Sequence, residues 1–239
     1  MNSITDIDES RRQFLVYLLS TGVLTAVPGC SSSGATQTLP KPEELPPGKS
    51  IYQFKGDVRV NAQPVTLATS IHAGDIIETF DKSYIIFVFN KDATILRSNS
   101  QMILPAPGVT TSAFQLNQGK ALSVLASRTT QIKTPSAFIS IRGTGIYIES
   151  EADRSYVCTC YGVSDLATAD NPGINETIVS AHHDAPRYIL ADKSLTNRIQ
   201  PAPFKNHDDQ ELLLIETLVG RTTPYIVPQG AVRSRTRYF

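Results

Sequence analysis

The sequence predicts a mainly-β domain, a sandwich or barrel, followed by one C-terminal helix. Between Ile51 and about Leu190, strand-sized apolar or alternating runs recur at roughly 8–12-residue spacing with turn residues between them. No helical pattern of about 10–15 residues alternates with these runs, which argues against a parallel βαβ sheet. The one amphipathic run at helical spacing comes late, at Leu212, Leu213, Ile215, Leu218 and Val219.

Taken in order, Asp57-Val58-Arg59-Val60 alternates, and Asn61-Ala62-Gln63-Pro64 reads as a turn. Ile71 to Asp75 contains an Ala73-Gly74-Asp75 turn. Tyr84 to Phe89 is β-branched and aromatic, and Asn90-Lys91-Asp92 turns the chain back. Thr94–Arg97, Gln101–Leu104, Ala113–Leu116, Ala121–Leu125, Thr130–Lys133 and Phe138–Ile141 continue the series. The helix is expected over about 207–219. Asn206 or Asp208 caps it, Asp208, Asp209 and Glu211 suit its positive end, and Gly220 stops it. A helix this short is marginal alone, so it packs on the β body or on a partner. Arg233, Arg235 and Arg237 in the tail read as a solvated charge run.

The N-terminus reads as an address. Ser10-Arg11-Arg12-Gln13-Phe14-Leu15 resembles the twin-arginine export consensus, with Val16 where Lys is usual. The apolar run Phe14–Val27 carries Tyr17, Ser20, Thr21 and Thr25 and is too short to span a bilayer. Val27-Pro28-Gly29-Cys30 resembles a bacterial lipobox, and Ser31, not Asp, follows the cysteine. Residues 1–29 are expected to be removed. Cys30 is then lipidated, and 30–48, rich in Ser, Pro and Gly, forms a tether. These features imply export by the twin-arginine route to the periplasmic face of a bacterial membrane, as an outer-membrane lipoprotein. No segment of the expected mature chain is long and apolar enough to span a membrane.

Composition narrows the class. The 239 residues are 41% hydrophobic and 18% charged, a globular balance. Lys and Arg number 22 against 22 Asp and Glu, which leaves no electrostatic footprint for nucleic acid. The expected division is a β domain over 49–195 and an extension over 196–239.

Within the β domain an ordered series of motifs resembles the FecR domain family. Gly56 to Pro64 leads to Ile71-His72-Ala73-Gly74-Asp75-Ile76-Ile77-Glu78-Thr79, similar to that family's Leu-x-x-Gly-Asp-x-Ile-x-Thr signature. Ser83–Phe89 and Asp92-Ala93-Thr94-Ile95-Leu96-Arg97-Ser98-Asn99-Ser100 resemble its apolar strand, Asp-Gly-Ser turn and Asn-Ser segment, with Ala93 where Gly is usual. Gln118-Gly119-Lys120 resembles its glycine-containing hairpin. Thr134 to Thr144 matches Thr-Pro-x-Ala-x-x-x-x-Arg-Gly-Thr and marks Arg142, Gly143 and Thr144 as a turn that shapes the fold or meets a ligand, with Asp165 as a carboxylate for Arg142 to clamp. The resemblance covers roughly 51–168. It implies a jelly-roll-like β-sandwich in the periplasm, acting as a non-catalytic sensing or interaction module with an envelope protein partner. Family namesakes regulate iron-dicitrate uptake, span the inner membrane and touch a sigma factor. This chain carries neither a spanning helix nor their regulatory domain, so direct sigma-factor control does not carry over.

One constellation carries chemistry. Cys158-Thr159-Cys160 lies in a strand-like run, so both sulfurs share a face. His182-His183-Asp184 follows. If the two segments pair as antiparallel strands, Cys158 and Cys160 meet His182 or His183, with Asp184 as a further ligand. Such a set suits zinc, iron or copper, although Cys-x-Cys departs from the common zinc spacing. Buried inert thiols, an intermolecular link or redox chemistry at the cysteines, and a polar turn at the histidines, are the alternatives. A Cys158–Cys160 disulfide is strained at this spacing. Twin-arginine substrates as a class cross the membrane folded, often with cofactors loaded. No phosphate loop, dinucleotide fingerprint or nucleophile elbow is present. Glu149, Glu151 and Asp153 read as a solvated acidic loop, and His72 and His207 receive no role. The expected function is an envelope-anchored interaction module that catalyses nothing. The alternative is a metal-binding protein.

Overall fold

The computed structural model describes residues 43–126 and 129–227. The signal segment, Cys30, most of the tether and the three tail arginines lie outside the described residues. A compact unit begins at Glu44.

Its strands are β1 (Ile51–Lys55), β2 (Val58–Val60), β3 (Gln63–Pro64), β4 (Ile76–Thr79), β5 (Tyr84–Phe89), β6 (Asp92–Leu96), β7 (Ser100–Ile103), β8 (Ser112–Val124), β9 (Thr129–Lys133), β10 (Ala137–Ser150), β11 (Arg154–Thr168), β12 (Asn175–Ser180), β13 (Arg187–Leu190) and β14 (Ile199–Pro201). One helix, α1 (Asp209–Leu218), follows. The chain is thus mainly β with a C-terminal helix, and the strands fit a sandwich. Among the described residues no helix is long and apolar enough to cross a membrane.

All the strands belong to one hydrogen-bonded ladder, and three long strands fold it into two layers. The C-terminal half of β8 pairs with β6 and with residues 145–150 of β10. That half of β10 pairs with the start of β11, which pairs with β13. With β1, β5 and β14 these make the first sheet. The other halves pair differently: β8 with β7 and, in parallel, β9; β10 with β9; and the end of β11 with β12. With β2, β3 and β4 they make the second sheet.

A strand that serves two sheets must bend without ending, and glycine allows it. Gly119 (φ +93°), Gly143 (φ +57°) and Gly162 (φ +94°) sit where β8, β10 and β11 pass between sheets. Two motifs that resemble turns in sequence therefore lie inside strands: Gln118-Gly119-Lys120 is a bend in β8, and Arg142-Gly143-Thr144 a bulge in β10. Other turns are genuine. Asn61 (φ +50°) and Ala62 (φ +65°) close the β2–β3 hairpin. The β5–β6 reversal falls on Asn90 (φ +58°), which leaves Ala93 buried within β6.

The core between the sheets contains Ile85, Leu96, Ala121, Ile146, Ile148 and Val157 from the first and Ile77, Met102, Leu116, Ile139 and Leu166 from the second. Strand alternation turns the intervening residues of the first sheet the other way. Ile86, Ile95, Leu122, Tyr147 and Cys158 stand directly opposite one another in register across β5, β6, β8, β10 and β11, all buried. The chain's own C-terminal segment covers this face. Helix α1 packs against β6 and β8 and buries Leu212, Leu214, Ile215 and Leu218. Its start is a capping box: Asp208 accepts from the Gln210 and Glu211 N–H groups and Glu211 accepts from the Asp208 N–H, a device worth about 1 kcal/mol. Gly220 (φ +68°) follows the C-cap Val219. Glu211 also takes the Arg97 guanidinium at 2.7 Å, which ties the helix to the sheet.

The bend at Gly119 is a sharp test of this architecture. A Cβ there would lie 2.4 Å from the Ser100 Cα. Gly119→Ala combines that clash with a left-handed backbone, so it is expected to cost about 3 kcal/mol or more in urea unfolding. Wild-type stability would contradict the bend.

Candidate metal centre

Four side chains from three separate segments converge on the outer face of the first sheet. Cys158 and Cys160 are two apart on β11 and share that face with Tyr156, while Val157 points into the core. His183 comes from the turn after β12. Its N–H donates to the Cys160 carbonyl at 2.9 Å, and its backbone is held left-handed at φ +57°, an uncommon state for a non-glycine residue. His207 precedes the helix cap Asp208 and follows Asn206, also left-handed at φ +61°. One ligand atom from each of Cys158, Cys160, His183 and His207 lies within 4.8 Å of all the others.

The finer distances lie near those of a closed tetrahedral centre, within a few tenths of an ångström for the two pairs closest together. Cys158 Sγ lies 3.6 Å from His183 Nδ1, and His207 Nε2 lies 3.0 Å from the same nitrogen. An ion bonded at about 2.3 Å to sulfur and about 2.0 Å to nitrogen would set its ligand atoms roughly 3.3–3.8 Å apart. Each imidazole has its other nitrogen engaged. His183 Nε2 meets Asp209 Oδ1 at 3.1 Å, and His207 Nδ1 meets the Lys205 carbonyl at 2.8 Å. In the neutral rings, donation of those N–H groups would leave lone pairs on the two nitrogens turned toward the cluster, the outer arrangement typical of ligating histidines. Both cysteines are 0% exposed and His207 is 2% exposed. The rings of Tyr147 and Phe204 lie 4.5 and 4.6 Å from the His207 ring, which adds an aromatic wall.

The charges favour a cation. Contacts with Cys160, then with His183 and His207, hold the Cys158 thiol well below its ordinary range despite burial. Burial, then the neighbouring Cys158, pushes Cys160 well up. Burial pulls His183 down, but hydrogen bonds to Asp209 and Cys158 outweigh it and lift the pKa to about 9. One thiolate is therefore accommodated next to an imidazolium, and a second is opposed. A divalent ion would neutralise both thiolates.

Of the metal ligands expected from sequence, Cys158, Cys160 and His183 meet, and the other two, His182 and Asp184, do not join them. His182 lies beside the cluster, its Nε2 2.8 Å from Asp209 Oδ1. Asp184 shapes the turn: its Oδ2 accepts from the Ala181 and His182 N–H groups at 2.7 and 3.2 Å. The segments do not meet as a strand pair at Cys158, because β12 pairs with Gly162–Ala167 and the histidines lie in the turn beyond it. Arg142 is exposed at the β10 bulge, Asp165 is engaged by Thr177, and the Thr144 hydroxyl donates to the Val163 carbonyl.

Sequence reasoning passed over His207, whose position beside a helix cap gave it another use. Its only signal was that three of the four histidines follow the Cys-x-Cys pair. Glu149 corrects a second expectation. It is no solvated acid but 1% exposed, accepting from Tyr147 at 2.7 Å and Asn206 at 2.6 Å and paired with Lys205 at 2.6 Å. These bonds anchor the segment that presents His207.

No family model matches this sequence, and no curated protein matches it. Two crystal structures of a proposed anti-sigma factor from Parabacteroides distasonis ATCC 8503 are similar to it in structure, each at a TM-score of 0.44 and 12% identity. The similarity covers 57% of this chain and 62% of that one.

Glu149→Ala removes at once the bonds to Lys205 and Asn206 that hold the His207 segment. It is expected to lower stability by about 3 kcal/mol and to loosen residues 204–208 in hydrogen exchange. Unchanged protection there would show that His207 is held by other means.

Proposed function

We propose that this chain is a non-catalytic metal-holding module of the bacterial cell envelope, with one divalent ion, zinc first, at Cys158, Cys160, His183 and His207. The observation that carries the reading is the convergence of four ligand atoms within 4.8 Å, each imidazole already oriented through its second nitrogen. Four protein ligands complete a tetrahedron and leave no position for substrate, the pattern of structural zinc. Complete burial of both cysteines denies a substrate access to the thiolates, which favours holding an ion over turning over a molecule. Because the ligands come from β11, the turn after β12 and the approach to α1, the ion clamps the C-terminal segment onto the first sheet.

The wider setting rests on sequence resemblance. The ordered FecR-type motifs support a sensing or interaction role with an envelope partner, and through the family namesakes a place in iron-uptake-type signalling. The twin-arginine-like and lipobox-like residues ending at Cys30 support export of a folded, metal-loaded protein anchored by lipid.

The test is elemental analysis of protein exported natively and passed through gel filtration. One tightly held equivalent per chain is expected, lost in Cys158→Ser/Cys160→Ser and in His207→Ala but kept in Asp192→Ala, an exposed carboxylate away from the cluster. A folded chain with both thiols free and no metal would overturn the reading. Protons compete for thiolates and imidazoles, so retained metal is expected to fall as dialysis pH drops below about 6.

A further inference from the structure

We infer that His183 also bridges to a second, solvent-reachable site for a divalent cation, formed by His182 Nε2, His183 Nε2 and Asp209 Oδ1. The inference rests on the metal-holding reading above and extends it from one ion to a pair. These three ligand atoms lie within 4.8 Å of one another, with Asp209 Oδ1 at 2.8 Å from His182 Nε2 and 3.1 Å from His183 Nε2. Exposure grades across the group: the side chains of His183, Asp209 and His182 are 9%, 19% and 36% exposed. The first centre is sealed, whereas this one reaches solvent through His182.

A second observation points to a ligand. The buried Tyr225 hydroxyl faces Asp209. Its ring lies 4.4 Å from the His182 ring. A water on an ion held by Asp209 would also meet that hydroxyl. Two imidazoles and one carboxylate with an open fourth position suit zinc, cobalt, nickel or copper better than calcium or magnesium, which favour all-oxygen sites.

Charge and protons balance. With the second site empty, His183 donates its Nε2–H to Asp209. When the second ion binds, that proton leaves to solvent and the ring holds one ion through Nδ1 and the other through Nε2. Two thiolates then offset the first ion, and the bridging imidazolate and Asp209 offset the second. If Asp209 only orients His183, a single ion is the limit.

Cobalt titration of the reduced, metal-free mature chain under anaerobic conditions separates the cases. Two equivalents are expected. The first brings thiolate-to-cobalt charge-transfer bands, and the second adds d–d absorption without further thiolate intensity. His182→Gln, at a half-exposed position, is expected to lose one equivalent and keep the thiolate bands. Saturation of the wild type at one equivalent would overturn the second site and leave the first standing. Two equivalents in His182→Gln would also overturn it, by placing the extra ion elsewhere. Absence of thiolate bands would sink the first centre and the bridge together.

Discussion

A sheet that buries both faces has to be covered twice, and that constraint organises this protein. The first sheet meets the second across the main core. Its reverse carries Ile86, Ile95, Leu122, Tyr147 and Cys158 in one lateral row, too apolar to face water. The chain supplies the second cover from its own C-terminal segment. Strand β14, beyond residue 195, pairs with β13, and the chain then crosses the sheet into α1. Apolar contact alone does not fix where such a short helix lies. Buried polar groups do, because each costs free energy unless it meets its partner. Glu149 with Lys205 and Asn206, Arg97 with Glu211, and the Tyr161 hydroxyl with Glu216 pin the layer at three places.

The candidate centre sits at this seam. Strand alternation sends Cys158 and Cys160 to the covered face rather than into the main core. The Asp184 turn presents His183, and the Glu149 network presents His207 from the opposite side. Each imidazole is oriented by a bond to a group outside the cluster, and the cysteines by their strand, so much of the geometry is set before any ion arrives. The resulting polarity gradient, sealed at the cysteines and open at His182, divides one histidine-rich seam into two chemical environments.

Closure of a long loop by a metal is entropically demanding in the unfolded chain and correspondingly stabilising in the folded one. The ligands here span from Cys158 to His207. An ion would therefore link β11 to the approach of α1 and make the covering layer cooperative with the sheet. The same layer includes Asp209, the first residue of α1, which holds both His182 and His183. Helix position and metal-site geometry are thus two expressions of one docking event.

The sequence by itself determined the local features. Period-two alternation and turn residues marked most strands. Asp208, Glu211 and Gly220 bounded a helix expected at 207–219 and found at Asp209–Leu218. Cys-x-Cys spacing in a strand put two sulfurs on one face. These are properties of neighbouring residues, so a linear pattern records them. The tertiary structure decided what depends on distant partners. Gly119 and Gly143 look like turn punctuation, but they bend strands because the fold pairs those strands with different neighbours on either side. Glu149 looked like a surface acid, and only its meeting with Lys205 and Asn206 makes burial affordable. His207 looked like part of a cap, and Asp184 looked like a ligand. Their roles exchanged because a turn needed a carboxylate for its own N–H groups, while the sheet's second cover brought a remote imidazole over the two sulfurs.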